Sequence, residues 1–227
     1  MAIILSLETS SDVCSVALHD GGRLMAEAEI HEPQSHSARL ALLIKDILAT
    51  ANFSSKDLNA VAITKGPGSY TGLRIGTSTA KGLCYALDIP LISVGSLELL
   101  AYQASGDNSA HALLCPMIDA RRMEVYCLVT NHRLEIVQPV SAMVIDQASF
   151  QELLTNHKML FFGNGANKCK EVLHHVNAGY LDNIFPLAAT LGLMAESKYR
   201  DGVFEDLNSF KPFYLKEFVA KKPQKNI

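Results

Sequence analysis

The sequence predicts a two-lobed α/β fold built from two duplicated mixed sheets. Three strand-like runs followed by helix, strand and helix occur twice along the chain. A polar stretch, Ser105-Gly106-Asp107-Asn108-Ser109, separates the two series. The opening runs of each series can pair by short turns, whereas the later strands need helical crossovers, so each sheet mixes antiparallel and parallel pairs. The expected division is a first lobe at 1–106, a second at 107–211 and a tail at 212–227, with ligands held between the lobes.

The first strands are expected at Ile3–Leu7, Val13–His19 and Leu24–Ile30, the last two joined by the hairpin signal Asp20-Gly21-Gly22. A helix over Ser37–Ala51 carries Leu40, Leu43, Ile44, Ile47, Leu48 and Ala51 at helical spacing, with Ser35 or Ser37 as its cap. Next come a strand at Ala60–Thr64, a helix at Thr71–Leu87, a strand at Pro90–Val94 and a helix at Ser96–Ala104. In the second series the strands are Leu113–Ile118, Val125–Thr130 and Ile136–Ile145. A helix at Gln147–Asn156 capped by Asp146, a strand at Met159–Phe162 and helices at Ala166–Val176 and Ala188–Arg200 complete it.

Composition excludes several classes. A chain of 227 residues, 48% hydrophobic and 19% charged, has the balance of a globular protein and is long enough to bury a core without disulfide or metal staples. The 20 basic and 23 acidic residues give a net charge of −3, which argues against nucleic-acid binding by this chain alone. Its basic tail residues, Lys216, Lys221, Lys222 and Lys225, read as a solvated terminus. Five scattered cysteines without C-x-x-C spacing read as buried thiols in a reducing compartment. The apolar start lacks a basic leader and no apolar run approaches the ~18 residues of a membrane span, so a cytoplasmic location is expected.

Four segments could carry chemistry. The turn Glu8-Thr9-Ser10-Ser11-Asp12 either cradles a phosphate with hydroxyls and N–H groups or is an ordinary turn satisfying its own backbone. Lys65–Gly76 opens a helix with glycines but matches neither G-x-x-x-x-G-K-[ST] nor G-x-G-x-x-G. Within it Gly72, Gly76 and Ala80 form a small-residue stripe, which needs a closely approaching backbone because a helical glycine costs about 1 kcal/mol against alanine. Spacing does not say whether that neighbour is in this chain or another. Asp119, Arg121 and Arg122 either bind an anion in the cleft or make turn-end ion pairs. Gly163-Asn164-Gly165-Ala166 is either a nucleotide loop or a plain turn. No H-E-x-x-H, H-x-x-x-H or G-x-S-x-G occurs, so the residues offer no catalytic set and no metal ligands.

Five segments in order, ILSLETSSDVCSVAL (4–18), KGPGSYTGLRIGTSTAKGL (65–83), MIDARRMEVY (117–126), GNGA (163–166) and PFYL (212–215), resemble the bacterial TsaB family, also called YeaZ. The resemblance implies the actin/Hsp70/sugar-kinase (ASKHA) fold and a part in forming threonylcarbamoyladenosine next to the anticodon of tRNAs that read codons beginning with A. It implies a non-catalytic scaffold that pairs with a catalytic paralogue of the TsaD type, with a TsaE-like ATPase joining, and that forms homodimers when alone. ATP would be used by the assembly, not held as a cofactor of this chain, and tRNA would be met only through the complex. The paralogue's metal-binding H-x-E-x-H segment corresponds here to Ser96, Glu98 and Leu100, of which only Glu98 matches. The pairing surface implied is Leu40, Leu43, Ile44, Ile47, Gly72, Ile75, Gly76, Thr79, Ala80 and Leu83. The cleft contacts implied are Glu8, Thr9, Ser10, Asp119, Arg121, Gly163 and Gly165. Two other activities remain open, an ATP-dependent phosphotransferase on the same fold and a metallopeptidase.

Overall fold

The computed structural model describes residues 1–32, 36–106, 108 and 110–216. Strands β1 (Ile3–Glu8), β2 (Cys14–Asp20), β3 (Arg23–Ile30), β4 (Ala60–Gly66) and β5 (Leu91–Gly95) form the first sheet in the order β3-β2-β1-β4-β5. The second sheet contains β6 (Leu113–Asp119), β7 (Glu124–Thr130), β8 (Ile136–Val144), β9 (Met159–Phe162) and β10 (Ala178–Leu181), ordered β10-β9-β6-β7-β8. Read from the other edge, the second order repeats the first strand for strand. The pairing repeats too: β1 and β6 are each antiparallel to the next strand and parallel to the fourth of their series. The duplicated mixed architecture expected from element order is present.

Alternation along β1 explains how the first sheet is filled. Leu5 and Leu7 point to a cluster with Val16, Val61, Ile63 and the inner faces of α1 (His36–Thr50) and α2 (Tyr70–Leu87). Ile4 points the other way, to Ala62, Ile92, Val94 and two further helices, α3 (Ser96–Ser105) and α5 (Ala188–Arg200). Strands covered on both faces must be apolar at successive positions, as Ala60-Val61-Ala62-Ile63 is. The short helix α4 (Gln151–Asn156) packs in the second lobe through Leu154, beside Phe150 and Phe161. Helix α3 is shared: Leu99 enters the first-sheet cluster, whereas Leu97, Leu100 and Ala104 enter one with Leu114, Ile118, Leu128 and Phe162 of the second sheet. All five cysteines are buried and unpaired, and burial pushes the Cys14 and Cys84 thiols up to about 11.

Several expectations change. The helix placed at Ala166–Val176 is a short 3-10 turn, Asn167–Cys169, followed by further turns, and strand β10 was not foreseen. Helix α4 begins only at Gln151, because Asp146 holds the preceding residues in a turn by accepting from Ala148 N at 3.0 Å and Ser149 Oγ at 2.9 Å. Ser37 lies inside α1 and does not cap it, and Ser35 lies outside the described residues, as do Lys221, Lys222 and Lys225 of the tail. Helix α5, placed in the second lobe at 107–211, packs instead on β1, β2 and β5 of the first sheet. There Ala188 N donates to Ser15 Oγ at 2.9 Å and Lys198 Nζ to the Ser93 carbonyl at 2.9 Å. The first residues of the tail are also held: Phe213 N donates to the Lys65 carbonyl at 2.7 Å, which lays 213–216 across the mouth between the sheets.

Candidate functional site

A cleft of about 1020 Å³ opens between the two sheets. The loop before α2 forms one wall, the β6–β7 turn from Asp119 to Glu124 the second, and Phe213–Lys216 the third. The α2 wall is fixed by its cap, Ser69 Oγ, which accepts from Gly72 N at 3.2 Å. Local hydrogen bonds fix the β6–β7 turn as well. Asp119 Oδ1 accepts from Arg121 N at 2.8 Å, Glu124 N donates to the Arg121 carbonyl at 3.1 Å, and Ala120 N donates to the Glu124 carbonyl at 3.1 Å. Asp119 is also tied to Lys168, whose Nζ donates to the Glu124 carbonyl at 2.6 Å, and Glu124 is paired with Lys216.

Of the cleft residues named from the sequence, Asp119 and Arg121 line it, with Arg122 beside them. Asp119 serves the turn and Lys168, not either arginine. Arg121 and Arg122 are exposed, and neither forms an ion pair among the described residues. Glu8, Thr9 and Ser10 are not in the cleft. Thr9 is 2% exposed and its hydroxyl donates to the Gly72 carbonyl at 2.8 Å. Ser10 donates both its N–H (2.5 Å) and its hydroxyl (2.6 Å) to Glu8 Oε1, and its carbonyl accepts from Ser69 N at 2.7 Å. The Thr9 and Ser10 hydroxyls are thereby engaged with α2 and with Glu8.

Glu8 is fully buried at the end of β1. Desolvation pushes its carboxyl from 4.5 up to about 7, against the opposing pull of Ser10. Its Oε2 has no hydrogen-bond partner among the described residues, nor has the Thr64 hydroxyl beside it. Gly163 and Gly165 are likewise structural: a Cβ at either would lie inside 3.0 Å of the β6 backbone, at Met117 and Ile118 respectively. They let this loop cross β6 closely and face no cleft.

The pairing residues divide. Leu40, Ile44, Ile47 and Ala80 are buried in the chain's own core. A Cβ on Gly72 would collide with the Thr9 carbonyl and one on Gly76 with the Thr9 hydroxyl, so the backbone that the stripe admits is the β1–β2 turn of the same chain. These six residues therefore leave the expected surface. Leu43, Ile75, Thr79 and Leu83 remain partly exposed. The outward face of the two helices also carries Leu42, Tyr85, 86% exposed, and Gly82, around which space is open. Sequence reasoning missed these three because they interrupt the apolar spacing it follows. Tyr70, Tyr126, Tyr214 and Lys216 line the cleft and were also missed as site residues, although the Pro-Phe-Tyr-Leu segment marked Tyr214.

Ser96 and Leu100 point into the interior at 0% and 1% exposure, whereas Glu98 is exposed and turns back toward Gly95. The three do not converge. Among the described residues no group of three or more His, Cys, Asp or Glu side chains is placed to hold a metal ion, and no helix is long and apolar enough to cross a membrane.

Comparison with known proteins adds to this geometry. The family model for TsaD, tRNA N6-adenosine threonylcarbamoyltransferase, matches residues 28–223. A Bacillus subtilis tRNA threonylcarbamoyladenosine biosynthesis protein TsaB is 33% identical over 76% of this chain and 76% of its own length. The Escherichia coli protein of the same name is 42% identical over 54% of this chain, and the match spans about half, 52%, of that relative. A Pseudomonas aeruginosa structure described as similar to peptidase YEAZ superposes with a TM-score of 0.82 at 26% identity, covering 95% of this chain and 100% of that one. An activator of 2-hydroxyisocaproyl-CoA dehydratase from Clostridium difficile, solved with ADPNP, shares the fold at a TM-score of 0.51 and 8% identity, over 88% of this chain and 96% of that one. The actin-like (ASKHA) fold is thereby established.

Proposed function

The chain belongs to the TsaB family, and on that premise we propose that it is a non-catalytic subunit of a tRNA threonylcarbamoyladenosine-forming assembly, acting by pairing with a TsaD-like transferase. One observation carries the non-catalytic part. Where the paralogue would present two histidines, this chain has Ser96 and Leu100, both buried, with Leu100 packed among Leu114, Ile118, Leu128 and Phe162 of the second sheet. A leucine cannot bind a metal, and neither side chain is exposed to solvent. In this reading a TsaE-like ATPase completes the assembly, ATP is consumed there, and tRNA is met through the complex. The match of the TsaD family model favours a second reading, in which this chain is itself the transferase. Transfer of the threonylcarbamoyl group by the isolated chain would establish that second reading.

The pairing surface that remains after correction is the outward face of α1 and α2, with Leu42 and Tyr85 exposed and Ile75, Thr79 and Leu83 at its margin. An exposed aromatic side chain three residues from a glycine with open space around it suits a packed contact with another subunit. Size-exclusion chromatography with light scattering tests this directly. Tyr85→Arg is expected to weaken pairing with the transferase at least tenfold while unfolding stability stays within about 0.5 kcal/mol. Undiminished pairing would remove this face from the account.

A further inference from the structure

We propose that the cleft between the sheets holds a single-stranded segment of RNA, with Arg121 and Arg122 on its phosphates and a base stacked against Tyr214. The inference rests on the reading above, that the chain works in an assembly acting on tRNA, and extends it by giving this subunit its own RNA contact.

Charge is the first support. Both carboxylates lining the cleft are taken by lysines, Asp119 by Lys168 and Glu124 by Lys216. That leaves two adjacent guanidiniums as local excess charge in a protein whose net charge is −3. Guanidinium groups match phosphate oxygens in geometry, and a pair with no ion-pair partner among the described residues meets an anion at the lip of a cleft without first breaking such a pair.

Backbone is the second. Arg121 and Arg122 sit at φ 72° and 50°, where glycine or asparagine would be easier to accommodate. The turn is held there by Asp119, Ala120 and Glu124, so both arginine side chains project from a fixed base.

Aromatic lining is the third. Tyr70, Tyr126 and Tyr214 lie in the same cleft as the arginines. Tyr70 and Tyr214 pack with their rings tilted by 39° and centroids 5.0 Å apart, and the Arg74 guanidinium stands 5.2 Å from the centre of the Tyr70 ring. Tyr214 is 38% exposed, so part of its ring is open to a base. Cations interleaved with aromatic faces are what single-stranded nucleic acid uses, phosphates on one and bases on the other. The volume of about 1020 Å³ also reaches the upper end of the roughly 300–1,000 Å³ typical of small-molecule pockets, which suits a length of strand better than one nucleotide.

The test uses the complex of the full chain with its transferase partner and a fluorescein-labelled anticodon stem-loop RNA, followed by anisotropy over a potassium chloride series. Arg121→Asn/Arg122→Asn keeps residues that tolerate the left-handed turn. It is expected to weaken binding at least tenfold at low salt and to flatten the slope of log affinity against log salt by about 1.4, two lost contacts to a single strand. Tyr214→Ser is expected to weaken binding about tenfold with an unchanged slope. Unchanged affinity and slope in the arginine variant would overturn the proposal. So would displacement of the RNA by AMP, which marks a mononucleotide site, or by polyglutamate, which marks a general anion patch. Size-exclusion of the same samples reports pairing separately. If no complex forms, the underlying reading fails, and the same titration on the chain alone decides the cleft.

Discussion

Replacing Glu8 with glutamine probes the most perturbed acid in the first lobe. Burial raises its pKa from 4.5 to about 7, so the folded chain prefers the protonated form. A carboxyl with a raised folded pKa contributes stability that is fully present below about 4.5 and is lost as pH rises through about 7. The shift corresponds to about 3 kcal/mol across that window, taken at 1.36 kcal/mol per unit. Glutamine imitates the protonated acid. Its oxygen can accept from Ser10 N and Oγ, and its amide takes the place of Oε2, beside the Thr64 hydroxyl that has no partner among the described residues. Urea denaturation of both proteins at pH 4 and pH 8 measures the effect. Their stabilities are expected to differ by less than about 1 kcal/mol at pH 4, with the Glu8→Gln variant more stable by about 3 kcal/mol at pH 8. His19, whose pKa burial lowers, titrates in both proteins and cancels from the difference. A difference that does not change with pH would refute the reasoning, because Glu8 would then be ionised in the folded chain at no cost.

Gly76→Leu is expected to destabilise the chain by about 3 kcal/mol or more, read by thermal melting, because its Cβ would lie 2.3 Å from the hydroxyl of buried Thr9, which is held by its bond to the Gly72 carbonyl. A folded but unpaired monomer would instead restore the stripe to an interface between chains. Gly192→Ala should loosen α5 from the first sheet, since the added Cβ would strike the buried His19 ring. A loss of about 2 kcal/mol is expected, and with it a fall in Tm of about 4–8 °C. Elemental analysis of the purified chain is expected to find no stoichiometric zinc or iron, and a bound equivalent would contradict the account of Ser96 and Leu100.

The strands were legible because burial follows a period of two in half-covered strands and is continuous in those covered on both faces, as in Ile4-Leu5-Ser6-Leu7. The mixed pairing of each sheet also followed from element order, because short turns join antiparallel strands and helical crossovers join parallel ones. What failed was whatever depends on a partner distant in sequence. Spacing showed that Gly72, Gly76 and Ala80 share a face but not that the face meets Thr9, 63 residues away from Gly72. It showed α5 as a helix but not that His19 and Ser15 of the first sheet receive it. The segment after Gly165 misled because Cys169, Val172 and Leu173 imitate one helical face for a single turn, enough to fill the core beside Phe161 without a continuing helix. Strand β10, Ala-Gly-Tyr-Leu, is too short to show alternation and is defined by its pairing with β9. In the cleft, Asp119, Arg121 and Arg122 were legible as a charged turn, but the pairing of Asp119 with Lys168 was not, and that pairing takes the carboxylate nearest the arginines in sequence.

The central claim is tested most directly by reconstituting the tRNA modification from purified components, with threonine, bicarbonate and ATP, and adding or omitting this chain. The account predicts that the modified adenosine forms only when the chain accompanies its transferase and ATPase partners, and that the chain alone forms none with or without added metal. Modification of tRNA by the isolated chain, or full activity of the partners in its absence, would contradict it.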